Sequence, residues 1–247
     1  MVDFRIRPRA PDRLFRPPRE RSPTRSGWLR KAAALLLAVV VLLPCTLILV
    51  YRFLPPPMTP LMLIRLGEGE GITKRWVPLT RIARSVPDAV IAAEDNRFCI
   101  HHGFDFGAIR EALEEREDGG DLRGASTISM QTARNLFLWP ARTWLRKGME
   151  AYLTVLLEFL LPKQRIIELY LNIAEWGHGT YGVASASQKY FSKDPSKLTR
   201  YEAALLAAIL PAPREWSANP PGPYVAQRAD VILGRISQLG ELLDCAH

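Results

Sequence analysis

Chemistry is concentrated in three short stretches of this sequence. The first is Glu94-Asp95-Asn96-Arg97-Phe98, running on to His101, Gly103 and Asp105. The second is Gly124-Ala125-Ser126-Thr127-Ile128-Ser129-Met130-Gln131, and the third is Arg146-Lys147 with Glu150. Glu94 follows Ile91, Ala92 and Ala93, an apolar helical run. Burial there raises a carboxyl pKa towards the range a general acid or base needs. Neighbouring residues on a helix project about 100° apart, so one of Glu94 and Asp95 is expected to face a cleft while the other supports the fold. The small residues of the second stretch permit close backbone approach. Ser126 and Thr127 bring hydroxyls, and a helix starting there points amides at an anion; an ordinary capped turn fits the same residues. Arg146 and Glu150 at i, i+4 suit an ion pair worth roughly 0.2–0.5 kcal/mol. An arginine beside a lysine also grips phosphate oxygens, one bidentate and the other as a point charge. His101, His102 and Asp105 resemble metal ligands only superficially; a structural histidine next to an exposed one is the simpler expectation.

The elements that must hold these residues read mainly as α-helices, with no internal repeat. Val90–Phe98 suits a short helix. Asp105 is placed to cap a helix through Ile109 and Leu113 that stops before Gly119-Gly120, and Ser126 or Thr127 to cap another through Asn135. Trp144 to Leu160 is apolar on most of its circumference and ends at Pro162; Arg165–Asn172 is another helix. Thr199-x-x-Glu202 forms a capping box ahead of Ala203–Leu210, with Pro211 as the stop, and a last helix runs from Tyr224 to Leu239. Residues 63–66 are the best strand candidate. Leu136-Phe137-Leu138-Trp139-Pro140 reads either as core or as a patch that receives a lipid tail.

Ahead of all this lie a basic tail and one long apolar segment. The chain of 247 residues carries a formal +8, which would suggest nucleic acid if it were spread evenly. Residues 1–31 hold +7 of it and leave +1 for the rest, so the folded part is nearly neutral and no nucleic-acid partner is expected. The tail is Pro/Arg-rich and is expected to be disordered. Ala32 to Tyr51 carries no charge and has the length of about 20 residues that crosses hydrocarbon as a helix. Trp28 and Tyr51 stand at its ends, and the positive-inside rule puts the tail in the cytoplasm and everything after Arg52 outside. The apolar core exceeds a signal peptide's usual h-region and no small-x-small site follows, so an uncleaved anchor is expected over 32–53. Pro55-Pro56-Pro57 reads as a stiff spacer in a linker over 54–74, and the catalytic domain is expected over 75–240. Cys45 lies in the anchor; Cys99 and Cys245 are expected as unpaired thiols, although an oxidising compartment permits a bridge.

Taken in order, these segments resemble the peptidoglycan glycosyltransferases of glycosyltransferase family 51. The resemblance rests on Glu94-Asp95-x-x-Phe98-x-x-His101-x-Gly103-x-Asp105, Gly124-x-Ser126-Thr127-Ile128-x-x-Gln131, Arg134-Asn135-Leu136-Phe137-Leu138 and Arg146-Lys147-x-x-Glu150. Lys163–Asn172 and Glu202–Ala207 with Leu210-Pro211 extend it. A short chain with one anchor and no Ser-x-x-Lys is similar to the monofunctional branch. The resemblance implies a lysozyme-like α fold with a small membrane-associated jaw, and polymerisation of lipid II onto a lipid-linked glycan. Undecaprenyl pyrophosphate would leave with inversion at the anomeric carbon. It implies Glu94 as general base on the acceptor 4-hydroxyl, with Asp95, Phe98 and His101 shaping that site. Ser126, Thr127, Gln131, Arg134 and Asn135 would line the cleft near the donor phosphates. Arg146 and Lys147 would hold pyrophosphate, and Glu150 would position them or a divalent ion (Mg or Mn); no cofactor is required. The inner membrane, an extracytoplasmic catalytic domain and partners among the cell-wall synthesis or division proteins follow from the same likeness. Met130 and Ala125 depart from the family's usual glutamine and glycine, and Arg134 from its more common lysine. A lytic hydrolase of the finished glycan and a non-catalytic scaffold are the rival readings.

Overall fold

The computed structural model describes residues 25–117, 126–141 and 143–247. Gly119-Gly120, Gly124, Ala125 and most of the basic tail therefore lie outside the described residues. The chain divides into two compact units, Met1–Leu42 and Leu43–His247. In the first, α1 (Arg25–Leu37) leads into a π-helical turn, Ala38–Leu42. The second begins with α2 (Leu43–Phe53). The helical run Gly27–Phe53 has 27 residues, and an 18-residue stretch within it has a mean hydropathy of 3.0. It spans about 40 Å at 1.5 Å per residue, more than the ~30 Å of bilayer hydrocarbon. Its leucines and valines are largely exposed, as lipid-facing side chains are.

The start of the second unit departs from expectation. The stretch 54–74 is folded rather than a free linker. Thr59 accepts a bond from Met62 N and Pro60 sits in the first turn, starting α3 (Pro60–Gly67). Residues 63–66 are thus helical and not a strand: four apolar residues do not distinguish the two, and the cap with its proline decides. Pro56 is buried and Lys74 Nζ donates to the carbonyls of Pro56 and Pro57, so the triproline lies on the fold instead of standing off from it. Ile48 is fully buried, Arg52 donates to Leu160 O (2.6 Å), and Arg165 donates to Tyr51 O (2.8 Å) and Leu54 O (2.9 Å).

A small sheet follows in the order β1–β3–β2, built from β1 (Thr73–Lys74), β2 (Glu175–Gly177) and β3 (Thr180–Tyr181). β1 pairs parallel and β2 antiparallel with β3. Asn172 is buried and pairs with the segment beyond β1 as a strand would, accepting from Val77 N (2.8 Å) and donating to Val77 O (2.9 Å). Gly179 at the tip of β2–β3 has φ +61°, and a Cβ there would meet Gly71 O at 2.3 Å; only glycine allows that approach.

The core lies among helices. α4 (Ser85–Glu94) ends where Asp95 turns to φ −162°, ψ 77°, short of the expected Phe98. α5 (Phe106–Glu117) starts after Asp105, which accepts from Ala108 N. α6 (Ile128–Phe137), α7 (Trp144–Leu160) and α8 (Lys163–Ile173) pack together, and α9 (Val183–Phe191) packs on α8. α10 (Arg200–Ile209) packs against α4 and α11 (Pro223–Leu239). The capping box at Thr199 and Glu202 is present, and Ala203–Ile209 is buried on every side, as an apolar helix without a polar face must be. Its four alanines (203, 204, 207, 208) let the neighbouring helices come close.

Cys99 and Cys245 form a disulfide with a Cα–Cα distance of 5.5 Å, which corrects the expectation of unpaired thiols. It joins the turn after α4 to the closing 3-10 helix Gly240–Ala246, 146 residues away. His247 lies 2.9 Å from Asp88 beside it. Nothing in the spacing of the two cysteines announces that these segments meet.

Candidate active site

The site is assembled by three helix ends. α4 delivers Glu94 in its last turn, α6 presents Gln131, Arg134 and Asn135 at i, i+3 and i+4 on one face, and α7 opens with Arg146, Lys147 and Glu150. Glu94 Oε2 accepts from Gln131 Nε2 at 2.9 Å, and the Gln131 carbonyl accepts from the Tyr170 hydroxyl at 3.2 Å. Arg228 of α11 stands 3.8 Å from the other carboxylate oxygen. Burial pushes the Glu94 carboxyl above the ordinary glutamate range, against the lowering effects of Gln131, Arg228 and Arg134.

Asp95 does a different job. Its carboxylate accepts from His101 Nε2 (2.9 and 3.0 Å) and from Ile128 N (2.9 Å), the first amide of α6. Gly103 N donates to His101 Nδ1 (3.1 Å), which fixes the tautomer with the proton on Nε2. Thr127 caps α6 by accepting from Met130 N (3.1 Å) and donates to Gly103 O (2.6 Å). Gly103 has φ +95°, and a Cβ there would press on the Thr154 methyl at 2.9 Å. This knot locks the start of α6 to the end of α4, and so sets Gln131 against Glu94.

Asp95, His101 and Thr127, expected at the substrate, meet in this knot; Asp95 and Thr127 also line the cavity beside Glu94, and Phe98 lies in the core. Phe98 is wholly buried, and the Asp95 and His101 side chains are 2% and 8% exposed. Lys163 Nζ lies over the Phe98 ring at 4.5 Å and pairs with Glu158 at 2.7 Å. His102 is exposed, as the simpler reading of the histidine pair anticipates. Met130 is 5% exposed; its side chain belongs to the interior, where a flexible thioether packs readily.

The cationic end is organised around Glu150, which is 0% exposed. One oxygen pairs with Arg146 and the other with Lys147 Nζ at 2.6 Å. Lys147 also donates to Ser126 Oγ at 3.1 Å. Arg146 donates further to Ala141 O. The i, i+4 pair is therefore built on a buried carboxylate that holds two cations, and buried charge requires such pairing.

Three cavities border these groups. One of about 240 Å³ lies beside Glu94 and includes Asn96, Ser126 and Arg235. One of about 640 Å³ adjoins Glu94 through Tyr224, Arg228 and Arg235. A third, about 570 Å³, is walled by Arg134, Asn135, Arg146, Trp139, Arg65 and Glu175. Leu136 and Leu138 are buried, and of that apolar run Leu138, Trp139 and Pro140 line the cavity. Tyr170, Arg228, Arg65 and Glu175 escaped the sequence reading. They come from α8, α11, α3 and β2, and only packing brings them here.

Residues 63–237 match the family described as Transglycosylase. The chain is 52% identical over 210 residues to a biosynthetic peptidoglycan transglycosylase of Rhodospirillum centenum, covering 85% of this chain and 90% of that one. It is 48% identical to the protein of that name from Caulobacter vibrioides, covering 88% and 96%. It is also 48% identical to that of Bdellovibrio bacteriovorus, covering 86% and 88%.

Proposed function

Since the chain belongs to the transglycosylase family and is a peptidoglycan glycosyltransferase of lysozyme-like fold, we propose that its substrates are lipid II and a lipid-linked growing glycan. In this reading Glu94 takes the proton from the acceptor 4-hydroxyl as the oxygen attacks the donor's anomeric carbon from the face opposite the leaving group. The bond from that carbon to the phosphate oxygen breaks, its electron pair stays with undecaprenyl diphosphate, and the configuration inverts. Diphosphate is a good leaving group, so the reaction asks for cations where negative charge grows rather than for a strong acid. Arg134, Arg146 and Lys147 supply them, with Asn135 as a neutral donor beside Arg134, and Glu150 holds Arg146 and Lys147. The observation that carries this reading is the half-buried Glu94, bonded to Gln131 on the same helix face as Arg134 and Asn135.

No cofactor is required in this scheme. A divalent ion at Glu150 would sit against Arg146 and Lys147, which already occupy both carboxylate oxygens, so the donor set does not suit one. The Gly27–Phe53 helix anchors the enzyme in the inner membrane, with the basic tail cytoplasmic and the catalytic unit outside. The Cys99–Cys245 bridge supports that orientation, because disulfides persist in oxidising compartments.

The test is an incubation of the detergent-solubilised protein with labelled lipid II beside Glu94→Gln. The expected outcome is lysozyme-digestible polymer from the wild type and a rate lowered by roughly 10²–10⁴ in the variant. Cleavage of preformed glycan instead would make this a hydrolase, and a variant as active as the wild type would remove Glu94 as the base.

A further inference from the structure

Two of the three cavities touch Glu94, and its carboxylate oxygens are not equivalent. Oε2 accepts from Gln131 Nε2 at 2.9 Å. Oε1 stands 3.8 Å from the Arg228 guanidinium, beyond hydrogen-bond reach, and has no hydrogen-bond partner among the described residues. A base takes a proton on a free lone pair within reach of the substrate, so Oε1 is the oxygen available to react. Arg228 lines the 640 Å³ cavity with Glu94, Asn96, Tyr224 and Arg235 and does not line the 240 Å³ one, which puts Oε1 on the side of the larger. α11 is fixed there. Val225, Ala229, Ile232 and Ile236 are buried along one seam, the helix packs on α4, and Arg235 donates to Ala92 O at 3.4 Å, two residues before Glu94. Tyr224, one turn ahead of Arg228 on the same face, packs its ring against Trp216 at 4.9 Å and stays exposed.

We propose that Arg228 is the positioning residue of the base: opposite Gln131, it turns Glu94 Oε1 to the 640 Å³ cavity, where the acceptor sugar enters against the Tyr224 ring. This rests on the reading above, in which Glu94 takes the acceptor's proton. A guanidinium bonded directly to Oε1 would have to be displaced before the hydroxyl could approach. At 3.8 Å it attracts the carboxylate and leaves the lone pair free. The hydroxyl proton passes to Oε1 as its oxygen bonds the anomeric carbon and the diphosphate departs with the electron pair; Arg228 acts only through Glu94. The two side chains are 14% and 27% exposed, so water screens their attraction incompletely. The same charge helps keep the base ionised. Burial raises the Glu94 pKa most, Gln131, Arg228 and Arg134 lower it, and Asp95 raises it. Arg134 comes from α6, Tyr170 from α8, Arg228 and Arg235 from α11, and Asp95 from the turn after α4; Arg97, Asp105 and Glu111 stand around the smaller cavity. α10 meets α4 with an apolar face, and the closing 3-10 helix brings His247 to Asp88.

The experiment is the pH profile of kcat/KM for lipid II polymerisation by the full-length protein in detergent. Wild type, Arg228→Gln, Arg228→Lys and Tyr224→Ala are compared, with the folded state of each checked by thermal unfolding. Loss of the positive charge leaves less of Glu94 ionised at a given pH, so the acid limb of Arg228→Gln should move up. Its kcat/KM should fall about tenfold below wild type near pH 6 and by less near pH 8. Arg228→Lys keeps the charge on a single-point group and should hold the limb near its wild-type position with a lowered kcat. Tyr224→Ala should raise KM about fivefold through the lost ring face, with the limb unmoved. An equal loss for Arg228→Gln at both pH values would mean that the arginine acts through structure or on phosphate alone, and overturns the proposal. An unchanged KM in Tyr224→Ala would put the acceptor elsewhere and equally overturns it. Should Arg228→Gln fail to fold, Arg228→Met, neutral and of similar length, takes its place. Wild type and Glu94→Gln report separately on the underlying reading. No polymer from the first, or full activity in the second, sinks both, whereas an unmoved limb in a polymerising enzyme sinks this proposal alone.

Discussion

At the residue scale the reaction turns on Glu94. Its pKa lies above the ordinary range because burial outweighs the Gln131 bond and the two arginines, and a base must be ionised to work. The acid limb of kcat/KM should therefore lie above the ordinary glutamate titration near pH ~4.3. Gln131→Ala removes the largest lowering influence, so the limb should move to higher pH and the rate near neutrality should fall; a shift to lower pH would contradict the assignment. The stability effect has a definite sign. A carboxyl whose folded pKa is raised contributes stability that is fully present below its unfolded pKa and is lost as pH rises through the folded value. Glu94→Gln should accordingly melt higher than wild type at pH 8, the gap closing below about pH 4. Thermal melts at the two pH values check it.

At the scale of elements, two threonine caps separate folding from function. Thr199 caps α10 through its box with Glu202 at the domain surface, and Thr199→Ala should cost about 1 kcal/mol with turnover unchanged. Thr127 caps α6 and also ties it to Gly103. Thr127→Ala should cost roughly 1–2 kcal/mol and lower kcat as well, since α6 carries both Gln131 and Arg134. Denaturant unfolding and polymer turnover, measured on the same preparations, distinguish the two: equal loss of kcat in both variants would show that the knot has no bearing on the site. α7 adds a different lesson. Its inner face buries Glu150, Leu153 and Leu157 while Trp144, Leu145, Val155 and Phe159 stay exposed, an apolar stripe beyond what a water-facing surface usually tolerates.

At the scale of the whole molecule the bridge between Cys99 and Cys245 closes a loop of 146 residues. In the chain-entropy account such a closure stabilises by up to about 5 kcal/mol. Cys245→Ser should therefore lower the denaturation midpoint markedly, and reduction should do the same to the wild type. Thiol titration of the denatured, non-reduced protein should find one thiol, Cys45; three would refute the bridge. Because Cys99 follows Glu94 by a single turn, loss of the bridge should also depress turnover more than the change in folded fraction explains.

The sequence by itself determined what depends on neighbours a few residues apart. The capping box at Thr199, a cap at Ser126 or Thr127, the extents of α7 and α11, the apolar run of the anchor and the order of the motifs are all local patterns, and each is written in a handful of consecutive side chains. Tertiary structure decided what depends on distant partners. Glu94 and Gln131 are 37 residues apart, Glu94 and Arg228 lie on different helices, and Cys99 meets Cys245 only once α4 and the last helix pack. The same holds for the contacts that gather Asp95, His101 and Thr127 into one knot and bring Arg65 and Glu175 to a cavity no motif names. Desolvation and pairing are properties of an enclosed space, and that space exists only after the chain has folded.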